Sequence, residues 1–255
     1  MKIVYVERIL VMFNLFRKSG YTNLEWVGAD IHSHLLPGID DGAADVTTSL
    51  LLLTKLLSLG LKEFILTPHI YDEVFPNTHQ TIDRAHDRLY LEMEQTGLAD
   101  VYTHSSAEYM LGEKFDSLLE QEDLRPFPSN YLLVEMPWLA EPFQLEQTIE
   151  RIISKGYKPI MAHPERYNFY SSQMKKYHEL KEMGCLLQLN LLSPTGYYGK
   201  QVAIVTHYLV KNNMYDFLGT DLHHIQQLSK ITKYIKSGQA YKDLGHLTIK
   251  NTELL

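Results

Sequence analysis

A chain of 255 residues with 45% hydrophobic and 22% charged side chains has an ordinary globular makeup and the length of one α/β domain rather than two small ones. Its formal charge of −7 argues against a nucleic-acid partner, which would call for a basic patch, and no run reaches the roughly eighteen consecutive apolar residues of a membrane span, so no stable membrane insertion is expected. The lone cysteine, Cys185, excludes an intrachain disulfide and sets the expected compartment as the cytoplasm.

Residues 1–25 form an N-terminal extension, apolar with scattered charges at Lys2, Glu7, Arg8 and Arg17 and without a signal-peptide cleavage site. Its pattern suits an amphipathic segment. A single domain then spans 26–255. Its first predicted strand, 26–31, runs into His32-Ser33-His34 and a glycine-flanked turn holding Asp40 and Asp41. A helix over 45–59 starts at a capping aspartate and stops at Gly60. The next strand, 64–67, ends at Pro68-His69, and a charge-laced helix capped by Thr78 follows over 78–95. Strand 101–107 ends at Glu108. The segment 113–130 is less regular, and Arg125-Pro126-Phe127-Pro128 marks it as loop. Strand 131–135 ends on Glu135 and leads into Met136-Pro137-Trp138, a loop placed to shape a pocket, before a helix over 144–155. Strand 159–162 delivers His163-Pro164-Glu165-Arg166, with a helix over 171–183 behind it. Strand 186–190, helix 198–212, strand 217–220 with Asp221-Leu222-His223, and helix 226–236 complete the series.

Strand, loop and helix repeated in this way imply a parallel sheet, and closing that sheet gives a barrel whose chemistry lies at the C-terminal ends of its strands. The imidazoles and carboxylates fall at those ends. Most of these signals are weak singly. A His-x-His pair shares one face of an extended segment, but a lone loop histidine such as His69 is usually unremarkable, a turn carboxylate such as Asp41 is usually structural, and Glu165 beside Arg166 reads most simply as a surface ion pair. Glu108 and Glu135 say more, because a carboxylate ending an apolar strand is costly to bury without a partner or a metal. Together, six such motifs at successive strand ends predict a polynuclear metal hydrolase, since mixed imidazole and carboxylate donors suit a divalent cation. His104, His178, His207, His224 and His246 have no comparable setting. Cys185 reads as a buried small residue: a cysteine phosphatase needs an arginine shortly after its nucleophile, and the last arginine here is Arg166.

The strings Asp30-Ile31-His32-Ser33-His34, Asp40-Asp41-Gly42, Thr67-Pro68-His69, Glu108, Glu135, His163-Pro164-Glu165-Arg166 and Asp221-Leu222-His223 resemble the polymerase-and-histidinol-phosphatase (PHP) superfamily. More closely they resemble its bacterial manganese-dependent protein tyrosine phosphatases of capsule and exopolysaccharide operons. The likeness runs from about residue 26 to the last helix. It implies a distorted (β/α)7-type, TIM-like barrel and three divalent ions, with manganese expected and iron, zinc or magnesium compatible. The implied ligands are His32, His34, Asp41, His69, Glu108, Glu135, His163, Asp221 and His223, with Glu108 bridging two ions. The implied catalytic set is Arg166, His163 and Asp41, with Arg166 holding the phosphate. The implied substrate is the phosphotyrosine-rich tail of a tyrosine autokinase that controls polysaccharide export. One departure stands out: no second arginine follows Asp221-Leu222-His223, where the chain reads His224-Ile225-Gln226-Gln227-Leu228-Ser229-Lys230, so phosphate binding falls to Arg166 and the ions, or to Lys230. The alternatives are a small-molecule phosphatase acting on a substrate such as histidinol phosphate, a nuclease, which the acidic charge disfavours, and a metal-stabilised, non-catalytic partner of the kinase.

Overall fold

The computed structural model describes residues 21–72 and 74–255. The amphipathic segment expected at the N-terminus lies almost wholly outside them. Packing starts before residue 26: Leu24 is buried and its N–H donates to the Leu59 carbonyl at 2.6 Å. Among the described residues no helix is long and apolar enough to cross a membrane.

Among the described residues nine strands, all paired in parallel, form two sheets. The first holds β1 (Ala29–Asp30), β2 (Glu63–Leu66) and β4 (Tyr102–Ser105) in that order. The second runs β3 (His69–Ile70), β5 (Glu108–Met110), β6 (Tyr131–Glu135), β7 (Lys158–Ala162), β8 (Leu186–Asn190) and β9 (Phe217–Gly219). The two strands expected over 64–67 and 101–107 are therefore each followed, a few residues on, by a further short strand that belongs to the second sheet and lies outside the expected range. The run ending at Leu66 is interrupted by Thr67-Pro68, where proline has no N–H for a ladder, and resumes at His69. The run ending at Ser105 breaks at Ser106-Ala107 and resumes at Glu108. The first strand is also shorter than expected, because Val27 and Gly28 are still turning, their N–H groups donating to the Leu24 carbonyl.

The sheet curls until its ends meet. Past β1 and β9, Asp221 N–H donates to the His32 carbonyl at 2.8 Å and His34 N–H to the Leu222 carbonyl at 3.1 Å. At the opposite end the Asn251 side chain spans the gap, donating to the carbonyls of Ala29 and Leu218 and accepting from Leu218 N–H.

Side-chain alternation sorts the strands into two cores. Ile31, Ile65, Leu133, Ile160, Ala162 and Phe217 pack inside the curl with Phe127 and Leu254. Their neighbours Phe64, Leu66, Leu132, Val134, Met161, Leu187 and Leu218 face outward into the larger core against the helices. Strands buried on both faces read as the near-continuous apolar runs seen in the sequence. The helices are α1 (Val46–Ser58), α2 (His79–Gln95), α3 (Glu113–Gln121), α4 (Leu145–Ser154), α5 (Lys175–Glu182), α6 (Lys200–Lys211), α7 (Ile225–Lys236) and α8 (Gln239–Leu244). The stretch expected to be irregular thus contains α3, which buries Phe115 and Leu119 four residues apart. The helix expected over 171–183 begins only at Lys175, after a short 3-10 turn, Asn168–Tyr170.

Candidate metal centre

Apart from Asp41, which sits in the turn between β1 and α1, the candidate ligands lie at the C-terminal end of a strand or a few residues past one, and strand periodicity aims the buried ones inward. On β6, Glu135 shares the face of Leu133 in the inner core. On β5, Glu108 sits opposite in parity to Tyr109, which packs outward. His32 and His34 follow β1, and His163 and Asp221 follow β7 and β9. The last two hold left-handed backbone, with φ of 32° and 48°. Such values are uncommon for non-glycine residues and concentrate at functional sites.

All nine side chains come together. They form four overlapping groups: His34, Asp41, His69 and His223; His32, Glu108 and His163; His32, His34 and Asp221; His69, Glu108 and Glu135. Glu108 is the centre. Its Oε2 lies 3.2 Å from His32 Nε2, 3.4 Å from His34 Nε2 and 3.1 Å from His69 Nδ1, while its Oε1 lies 3.0 Å from His163 Nε2. Asp221 Oδ1 is 3.4 Å from Nε2 of both His32 and His34. His69 Nδ1 is 3.1 Å from Glu135 Oε1. Asp41, with a side chain 54% exposed, stands at the mouth, its Oδ1 3.4 Å from His223 Nε2 and 3.6 Å from His69 Nε2.

These spacings suit cation coordination: two donors each about 2.1 Å from one ion in tetrahedral or octahedral geometry lie about 3.0–3.4 Å apart. Both Glu108 oxygens, Glu135 Oε2 and His69 Nδ1 are buried without a hydrogen-bond partner. Buried polar atoms are normally satisfied, so a cluster of orphans converging on one space fits divalent ions. The charges are strongly coupled. Burial presses the His32 imidazole toward neutrality, yet Glu108 and Asp221 overcome it and raise its pKa to about 9. Burial also opposes ionisation of Glu108, but His32 and His69 hold that carboxyl well below its usual range.

A second layer of residues, not picked out as ligands from the sequence, fixes the imidazoles. His32 Nδ1 pairs with Gln188 Oε1 at 2.8 Å, and His34 Nδ1 with Asp40 Oδ2 at 2.8 Å, which turns each Nε2 inward. Asp40 also accepts from the N–H groups of Gly42 and His69. Asn190 Nδ2 donates to Asp221 Oδ2 at 2.6 Å, and Gln227 accepts from His223 N–H at 2.7 Å. Asp30, buried behind His32, accepts from the Thr220 hydroxyl and N–H. The signal for Gln188 and Asn190 lay in the sequence as two polar residues, two apart, inside the apolar strand Leu186–Asn190.

Arg166 projects from the 3-10 turn after His163 and donates from Nη1 to Asp221 Oδ2 at 2.6 Å. Its guanidinium carbon lies 4.6 Å from the Trp138 ring centre and 4.3 Å from that of Tyr198. Glu165 is not its surface partner. It is buried, accepting from Asn190 N–H, the Ser193 hydroxyl and the Tyr215 hydroxyl. Lys230 is exposed on α7 and has no contact with the cluster among the described residues. His224 is exposed at the head of α7. Cys185 is buried, and burial pushes its thiol up to about 12, which suits packing and not nucleophilic attack.

A curled parallel sheet carrying clustered imidazoles and carboxylates at its C-terminal edge defines an α/β protein of the metal-dependent hydrolase type. Comparison with known proteins takes this further. The profile of the capsular polysaccharide synthesis family CpsB/CapC matches residues 28–255, and the chain belongs to that family. The tyrosine-protein phosphatase YwqE of Bacillus subtilis is 28% identical over 229 residues, covering 89% of this chain and 90% of YwqE. A crystal structure from a study of YwqE and of CpsB from Streptococcus pneumoniae, described as metal-dependent tyrosine phosphatases, superposes with a TM-score of 0.71 at 26% identity, covering 87% of this chain and 96% of that one. The histidinol phosphate phosphatase of Lactococcus lactis, solved with zinc, histidinol and phosphate, shares the fold at a TM-score of 0.53 and 14% identity, covering 83% and 94% of the two chains.

Proposed function

We propose that this chain is a metal-dependent protein tyrosine phosphatase that removes phosphate from a tyrosine autokinase controlling capsule or exopolysaccharide synthesis. The observation that carries the reading is the joining of nine metal-type donors to one half-buried arginine, Arg166, through a single carboxylate, Asp221. The family and its relatives, named as tyrosine phosphatases, supply the substrate class.

The ligand set is His32, His34, Asp41, His69, Glu108, Glu135, His163, Asp221 and His223. The division of Glu108 between His163 on one oxygen and three histidines on the other supports its role as a bridge. Three ions, manganese by preference, match the number and mixed character of the donors. Bound there, they would supply an activated water and positive charge for the phosphoryl oxygens. Arg166 keeps its remaining guanidinium donors for a phosphate, since among the described residues it spends only Nη1, on Asp221. The leaving tyrosinate, with a pKa of about 10, needs little acid assistance. His163 and the mouth residue Asp41 complete the catalytic set. The fold is assigned as a distorted (β/α)7 barrel of the PHP type, one domain over 26–255 behind an extension over 1–25, and the lone buried Cys185 suits a cytoplasmic setting.

The test is phosphate release from a tyrosine-phosphorylated peptide by chelator-stripped protein, with and without manganese, beside histidinol phosphate. Manganese-dependent release from the peptide alone is expected. Turnover of histidinol phosphate in its place would reassign the substrate, and no turnover of either by metal-loaded protein would overturn the enzymatic reading.

A further inference from the structure

The loop between β6 and α4 carries one large ring onto the site. Trp138 lies three residues past Glu135 and stacks on the His163 imidazole, with centroids 5.4 Å apart and planes inclined by 20°. It also covers the Arg166 guanidinium at 4.6 Å and approaches the Tyr167 ring at 5.9 Å. His163 and Tyr167 are buried, whereas Trp138 remains 44% exposed. Trp138 is thus where the buried cluster passes into solvent on the arginine side. The second ring against Arg166, Tyr198, is held from behind, its hydroxyl accepting from Asn190 Nδ2 at 3.0 Å.

We propose that the Trp138 indole is a specificity-determining surface that selects an aryl over an alkyl phosphate, by packing against the ring joined to the ester oxygen of the substrate. The inference rests on the phosphomonoesterase reading above and adds what distinguishes its substrates. A phosphoryl group on Arg166 places its ester oxygen beside the indole that covers the same guanidinium. In phosphotyrosine a rigid ring follows that oxygen directly, and aromatic rings favour offset or edge-to-face contact over and above the area they bury. An alkyl ester follows it with a narrow, flexible methylene that meets little of the indole. Polar groups that bind phosphate cannot supply this preference, because they meet the same phosphoryl oxygens in both esters.

The test is calorimetric titration of manganese-loaded protein with phenylphosphonate and methylphosphonate, two unhydrolysed probes that differ only in the aryl group. Wild type should bind the phenyl compound more tightly by roughly tenfold. Trp138→Ala should bring the two affinities to within about twofold, and Trp138→Phe should keep most of the preference. Metal content is measured on each sample. A phenyl preference unchanged in Trp138→Ala, or a parallel loss of both ligands, would overturn the proposal and leave Trp138 as mere support for Arg166 and His163. Hydrolysis of a phosphotyrosine peptide by the same wild-type sample separates the two readings: a phenyl preference lost in Trp138→Ala without peptide turnover would retain aryl selection and remove the phosphatase assignment.

Discussion

Gln188 is neutral and sits inside a strand, yet two candidate ligands depend on it. Its Oε1 lies 2.8 Å from His32 Nδ1 and accepts from His163 N–H at 3.3 Å. A proton on His32 Nδ1 leaves the Nε2 lone pair facing Glu108, the tautomer a metal ligand needs. Removing such an outer partner typically costs about 10–100-fold in metal affinity. Gln188→Ala should therefore lose manganese in a competition titration by that factor, with the fold retained by circular dichroism. Arg166→Ala should do the reverse, cutting the rate by roughly a hundredfold or more while elemental analysis still finds the metal. Loss of metal from Arg166→Ala would show that its bond to Asp221 is structural. Arg166→Lys should not restore the rate, since a point charge cannot reproduce a planar fork lying over two rings.

The strand ends carry the site, and their close approach leaves no room for drift. A Cβ built on Gly219, at the end of β9, would lie 2.5 Å from the His32 Cβ and 2.7 Å from Gln188 Nε2. The backbone there has no positive φ, so the constraint is contact with a ligand and not glycine's freedom to turn. Gly219→Ala should displace His32, cost about 1–3 kcal/mol by overpacking, and lower metal content together with the melting temperature. Full metal content in that variant would show that β9 can shift without moving the ligand. At this scale the sequence was most readable, because apolar runs ending in His, Glu or Asp mark both the strands and the side of the sheet where chemistry collects. The breaks after Leu66 and Ser105 were less visible: a proline or a small residue inside an apolar run does not say whether a ladder bends or splits. Helix α3 hid in a short polar stretch whose Phe115 and Leu119 show their spacing only once both are seen buried. The contacts of Gln188 with His32 and of Trp138 with Arg166 join residues on different strands and loops, and one-dimensional periodicity carries no information on such pairs.

For the whole molecule, the cluster ties metal, protons and stability together. In the metal-free fold His32 has its pKa raised to about 9 against about 6.5 when unfolded, because the Glu108 and Asp221 carboxylates outweigh its burial. A raised histidine stabilises the fold fully below the unfolded value and loses that contribution as pH climbs through the folded one. The difference corresponds to on the order of 3 kcal/mol. At about 2–4 °C per kcal/mol for a chain near this size, His32 alone should cost chelator-treated protein roughly 10 °C in melting temperature between pH 6.5 and pH 9, and His34 and His69, also raised, slope the same way. Glu108 and Asp221, held well below their usual values, stay ionised throughout and add no slope in that window. Manganese needs the same imidazoles unprotonated, so its binding strengthens as the proton's hold weakens. At a free concentration about a thousandfold above its dissociation constant the ion adds about 4 kcal/mol. The melting temperatures of loaded and stripped protein should therefore diverge as pH rises from 6.5 to 9, which paired calorimetric scans at each pH would measure. A gap that stays constant across that range would mean that metal and protons do not compete for the same ring nitrogens, and no gap at any pH would mean that the nine side chains are an ion-pair network and not a metal centre.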